Sequence, residues 1–136
     1  MLFRTIDSLA MRLDALWMLL GRIAIGVLFA PSGWGKLMDP TNLTKMLTAK
    51  GFPAPTAFAY LGGAVECIGG ALLIIGLKTR CTALALIVFT IFATLLAHQF
   101  WVDPAQKIQF FKNVAIIGGL LFVFARGAGS LSVDRA

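Results

Sequence analysis

Charge is scarce in this chain: only 13% of its 136 residues are Asp, Glu, Lys or Arg, and 6 of those are acidic. Soluble domains carry about 25% charge, so an ordinary water-facing surface is excluded. Histidine occurs once and cysteine twice, too few for the usual ligand set of a self-contained metal centre. A haem held through His98 would need a second ligand from outside the chain. Cys67 and Cys81 form no disulfide framework, because helical rise separates them by roughly 14 Å in depth, beyond a disulfide's reach. They read as inert thiols, with a redox thiol beside Glu66 as the alternative. There is no phosphate-cradling glycine loop after a strand and no Ser-His-Asp arrangement, so no nucleotide or hydrolase motif is present.

What the chain has is apolar length, with 59% hydrophobic residues. Runs near 15–37, 56–76, 81–101 and 108–125 each approach the roughly 20 residues that span a bilayer as a helix. The expected fold is an all-α membrane protein, a four-transmembrane-helix bundle spanning residues 15–126. The first run holds Arg22 in its body and lacks a small-residue cleavage site, so a permanent helix is expected there. The net charge of +6 is scattered around the spans, which marks topology and lipid headgroups as its partners and excludes nucleic acid. Arg4, Arg12, Lys78, Arg80, Arg126 and Arg135 outnumber Lys36, Lys45, Lys50 and Lys107, so both termini are expected in the cytoplasm.

Residues 1–14 place Leu2, Ile6, Leu9 and Leu13 at helical spacing with Arg4, Asp7, Ser8 and Arg12 opposite, the pattern of an amphipathic interfacial helix. Residues 127–136 form a short tail. The linkers at 77–80 and 102–107 are short enough to make their neighbouring spans antiparallel. Ile68-Gly69-Gly70-Ala71-Leu72-Leu73 resembles Ile117-Gly118-Gly119-Leu120-Leu121-Phe122, either as a repeat of hairpins or as two close-packing Gly pairs.

Ionisable residues inside apolar spans are costly, and they concentrate attention on Arg22, Lys36, Glu66, His98 and Lys112. Arg22, Gly26, Phe29, Gly33 and Lys36 share one helix face, and Glu66 sits in a stripe of small residues in the second span. Thr94 and His98 align in the third span, and Lys112 aligns with Ala115 and Gly119 in the fourth. Helical rise puts Glu66 near the midplane with Arg22 about 7 Å toward the termini and the other three roughly 7–14 Å the other way. A pocket is expected, with an Arg22–Glu66 contact at its base and Lys36, His98 and Lys112 near its mouth. Arg22 with Glu66 also reads as a plain structural ion pair, Lys36 as a snorkelling anchor and His98 as an interfacial residue. Lys112 has no carboxylate in its own span, so Glu66, a ligand or water must face it. Asn113 either lines the pocket or caps its polar layer. Trp17, Trp34 and Trp101 suit an aromatic belt, and Trp34 or Trp101 could instead stack on a flat ligand.

Read together and in order, several segments resemble the DoxX family of small four-span bacterial membrane proteins. They are Arg22–Gly26 through Gly33-Trp34-Gly35-Lys36-Leu37, Gly51-Phe52-Pro53, Glu66–Leu73 through Gly76 and Arg80, His98–Trp101, and Phe111-Lys112-Asn113 through Gly118-Gly119. The resemblance implies a location in the inner membrane. Members are commonly labelled oxidoreductases, some being similar to the small membrane subunit of thiosulfate:quinone oxidoreductase and others associated with quinone, catechol or redox stress. It carries no agreed catalytic role for any residue.

Three functions fit these residues. In the first, the pocket binds a quinone or similar aromatic redox ligand, with Glu66, His98 and Lys112 as catalytic groups and Arg22, Lys36, Trp34, Trp101 and Asn113 as ligand contacts. The second is a small carrier for an organic anion or a proton-coupled solute. The third is a membrane scaffold for soluble redox proteins. Lipid is the certain partner, and a homo-oligomer is compatible with all three.

Overall fold

Residues 1–135 are described by a computed structural model, and their regular elements are all helical. The helices are α1 (Leu2–Arg12), α2 (Asp14–Met38), α3 (Thr41–Ala49), α4 (Pro55–Ile75), α5 (Thr79–Ala97) and α6 (Lys107–Arg126), with a 3-10 turn at Pro104–Gln106 leading into α6. Among the described residues four segments are long and apolar enough to cross a membrane: Asp14–Met38, Pro55–Ile75, Thr79–Ala97 and Pro104–Arg126. The protein is a four-span helical membrane protein. Helix α1 buries no residue against the bundle.

Small residues decide which spans pair. A methyl group at Gly33 would run into the backbone of Gly63 and Cys67, and one at Gly70 into Ala30. These positions let the backbones of α2 and α4 approach as closely as membrane helices do through small-residue contacts. Helix α2 therefore packs along α4, α5 packs along α6, and the two hairpins meet more lightly through α4–α5 and α2–α6. Phe29, Leu73, Leu86, Ile87, Leu120 and Val123 form the buried core, most of it in the half of the bundle nearer the chain termini. The apolar residues left exposed, such as Val27, Ile68, Val114 and Phe122, are what a bilayer-facing surface requires.

The terminal end is closed by hydrogen bonds. Helix α4 ends at Gly76, whose left-handed φ of 72° suits a residue without a side chain, and a methyl there would also strike Arg22 and Ser132. The last carbonyls of α4 need partners, and each finds one. Gly76 and Leu77 donate to Leu72 O, Val133 N–H to Ile75 O and Asp134 N–H to Gly76 O. Arg22 donates to Leu73 O at 3.0 Å, to Ile74 O at 2.9 Å and to Leu131 O at 2.5 Å. Asp134 then accepts the N–H groups of Lys78 and Thr79, both at 2.8 Å, at the start of α5. Arg80 repeats the device on the second hairpin, donating to Phe124 O and Ala125 O at the end of α6.

Two expectations change here. Arg22 does not contact Glu66: it is fully buried, and its guanidinium is taken by the carbonyls at the end of α4 and by the tail. A fork of N–H donors matches carbonyls at a helix C-terminus, where the helix dipole also favours a cation. The third span stops at Ala97, with His98 leaving helical geometry at φ −121° and ψ 55°, so residues 98–101 belong to a turn.

Candidate functional site

The lighter contact between the hairpins leaves space, a cavity of about 1020 Å³ that runs along α5 from Cys81 and has its polar residues in the half of the bundle away from the chain termini. Its polar wall is assembled from all four spans. Glu66 projects from the middle of α4 and pairs with Lys36 near the end of α2, Nζ to Oε2 at 2.5 Å. Ser32, one turn before Lys36, donates to the same carboxylate oxygen at 3.3 Å and accepts from Lys36 Nζ at 3.3 Å. The carboxylate is nearly buried, its side chain 8% exposed against 33% for Lys36. Its other oxygen, Oε1, takes no hydrogen bond among the described residues.

Opposite this triad, α5 and α6 contribute a second polar layer. Thr90 and Thr94 donate back to Leu86 O and Thr90 O, both at 2.6 Å, which satisfies hydroxyls that apolar surroundings would otherwise penalise. Asn113 donates to Thr94 Oγ1 at 2.9 Å. His98 Nδ1 lies 2.8 Å from Gln106 Oε1, so Nδ1 carries the proton of that bond. Lys112 lines the cavity and makes neither an ion pair nor a hydrogen bond among the described residues. Lys36 and Glu66 offset one another's charge, so Lys112 leaves the cavity with a cation in excess.

The remaining walls are apolar and aromatic. Phe29 lies behind the triad, and Phe52 meets Phe58 and Phe92 edge-to-face at ring-centroid distances of 5.6 and 5.9 Å. Leu43, Met46 and Leu47 of α3 cover the end beneath the first loop. An apolar chamber with a few convergent polar groups has the make-up of a small-molecule site. Its chemistry offers donors at Lys112, an imidazole at His98 and a carboxylate at Glu66.

Of the residues singled out from the sequence, Lys36, Glu66, His98, Lys112 and Asn113 line this cavity, while Arg22, Trp34 and Trp101 do not. Arg22 lies at the closed terminal end. Trp34 is 59% exposed, since it falls on the face of α2 away from Ser32 and Lys36. Trp101 stands in the turn after α5, packed with Phe100 and Phe110. Ser32 is the addition, and its signal was the one-turn spacing to Lys36. The two cysteines are free, Cys81 exposed and Cys67 partly buried. Among the described residues no three His, Cys, Asp or Glu side chains gather as metal ligands would.

The model of the DoxX family matches residues 17–99, which include most of α2, all of α3, α4 and α5, and the Lys36–Glu66 pair. The chain belongs to the DoxX family. Relatives extend the match along nearly the whole chain. "Inner membrane protein YqjF" of Escherichia coli (strain K12) is 32% identical over 124 residues, covering 91% of this chain and 94% of its own length. "Inner membrane protein YphA" of the same strain is 30% identical over 124 residues, 87% of this chain and 88% of its own. A Mycobacterium tuberculosis (strain ATCC 25618 / H37Rv) membrane protein, Rv3486, is 31% identical over 125 residues, 84% of this chain and 77% of its own. No solved structure matches this DoxX-family chain.

Proposed function

We propose that the cavity binds a quinone or a similar small aromatic redox carrier, and that the protein serves an oxidoreductase system as its membrane component. The observation that carries this reading is Lys112: an unpartnered donor beside Asn113, in a chamber walled by phenylalanine rings. A quinone presents what such a site recognises, carbonyl oxygens that accept hydrogen bonds and a flat ring that packs among aromatic edges. In this reading Lys112 holds one carbonyl, His98 attends the same polar layer, and Lys36 and Ser32 fix the Glu66 carboxylate in the cavity wall. Arg22, Trp34 and Trp101 have no part in it.

The setting belongs to the same proposal. The protein lies in a bacterial inner membrane with both termini in the cytoplasm and α1 along the interface, as the names of its relatives and the distribution of Arg and Lys support. Reporter fusions at the C-terminus test the orientation.

The binding test uses purified protein in mild detergent. A ubiquinone-type benzoquinone should raise the melting temperature of the wild type, since a ligand that binds only the folded state stabilises it, and should not raise that of Lys112→Met. If no quinone shifts the wild type, the reading fails. The uncompensated charge of Lys112 also suits a carrier for organic anions, and anion flux into liposomes that is abolished by Glu66→Gln would favour that second reading.

A further inference from the structure

Helix α3 is fastened differently from the rest of the bundle. Among the described residues, every hydrogen bond made by residues 41–53 closes within residues 39–53, and none reaches a membrane span. Arg22, Arg80 and Asp134 tie the terminal end, whereas α3 is held by packing alone. It lies against α4, with Leu43, Met46 and Leu47 lining the cavity and Phe52, just past its end, packed on Phe58 and Phe92. Leu47 is the plug, only 3% exposed.

Two local costs weigh on this closed position. Thr44 Oγ1 is buried and finds no hydrogen-bond partner among the described residues, a loss that water would repair as soon as α3 lifted. Ala54, between Pro53 and Pro55, is left-handed at φ 48°, where a residue with a side chain is strained. Gly51 follows α3 at φ 75° with open space around it, so the chain has room to swing there. At the other end Asp39 is extended, φ −145° and ψ 92°, and Pro40 enters the helix with no N–H to leave unpaired.

We propose that α3 is a hinged lid, turning about residues 39–40 and 51–54, and that its opening joins the polar layer of the cavity to the water on the side away from the chain termini. Leu47 and Phe52 hold the lid shut, and Thr44 and Ala54 keep the closed state shallow. What it uncovers is the end of the cavity that carries Lys36, His98 and Lys112, so it governs how water and water-borne solutes reach those groups without crossing lipid. The lid does not depend on which ligand the cavity takes.

The test therefore reads opening with no ligand present. Ala97, which lines the cavity one residue before His98, is replaced through Ala97→Cys in a Cys67→Ala background. The protein, in mild detergent, is treated with sulfonatoethyl methanethiosulfonate, a charged thiol reagent that apolar surroundings exclude. Cys81, exposed at the opposite end of the cavity, is the internal reference, and mass spectrometry of peptides separates the two thiols. Thr44→Val keeps the side chain's shape and removes the orphaned hydroxyl, so it should deepen the closed state and slow modification at position 97 about tenfold relative to Cys81. Leu47→Ala should speed it by about the same factor. A thiol at position 97 that is never modified, or that reacts equally fast in the parent and in Thr44→Val, overturns the lid. Should Leu47→Ala unravel α3, the comparison of the parent with Thr44→Val still decides, because that substitution leaves the packing intact.

Discussion

The two ends of this bundle treat buried charge in opposite ways. At the terminal end, Arg22 is fully buried, and its two terminal nitrogens, though not Nε, meet the backbone carbonyls of Leu73, Ile74 and Leu131, with the tail laid over them. At the far end, Lys36 and Glu66 satisfy each other beside a cavity while Lys112 faces that cavity without a partner. In the sequence both are the same anomaly, a charge in an apolar helix. The structure separates them by their partners: where backbone carbonyls engage the charge, its work is to hold helices, and where no protein group engages it, a ligand has something to bind.

Replacing Arg22 should break this comparison most forcefully if it is wrong. Arg22→Leu strands the carbonyls of Leu73 and Ile74 inside the bundle, and we expect a loss on the order of 3–5 kcal/mol, the range for disrupting a buried charged network. Arg22→Lys should recover little, because one ammonium cannot reproduce the guanidinium fork. Unfolding of the detergent-solubilised variants measures both, and a loss below about 1 kcal/mol would remove the distinction between the ends.

Glu66→Ala is next in size. It leaves Lys36 with Ser32 alone, and since Lys36 is a third exposed, water offsets part of the cost; about 1–3 kcal/mol is expected. The double variant Glu66→Leu with Lys36→Met should recover most of that, as paired apolar replacements of buried ions often do. A double variant less stable than Glu66→Ala would show that the pair contributes more than mutual neutralisation.

A smaller, pH-dependent effect is expected at Asp134, which lies outside the spans. The N–H of Thr79, together with that of Lys78, holds its carboxyl below the usual 3.8. A carboxylate whose folded pKa is depressed stabilises the fold above its unfolded value and loses that contribution as pH falls through the folded one. The melting temperature of wild type should therefore drop as pH is lowered past 3.8, and the drop should be shallower in Asp134→Asn, which already lacks the contribution. Parallel curves would mean that the tail is not fastened through this carboxylate.

Much of this was legible in the sequence because it depends on period and length. The four spans follow from apolar runs, and the gathering of Lys36, Glu66, Lys112 and Asn113 along one cavity follows from steps of three and four. The partner of Arg22 was not legible, for a physical reason: it bonds to backbone carbonyls, which every residue possesses, so no side-chain pattern announces them. The closing role of residues 131–134 was hidden likewise, since the tail carries no periodicity. Trp34 and Trp101 were misplaced by proximity along the chain. One turns away on the helix that carries Lys36, and the other follows a helix that ends four residues sooner than its apolar run.

Lys112→Met carries the smallest expected cost to stability, within about 0.5 kcal/mol, because the side chain is exposed and unpartnered. That makes it the most direct probe of the central claim, that the far end of the bundle is a ligand site and the terminal end is its scaffold. The measurement is the quinone-induced shift in melting temperature for wild type and Lys112→Met side by side. An unchanged melting temperature without quinone and a shift lost in the variant is the predicted result. An equal shift in both proteins would contradict the account.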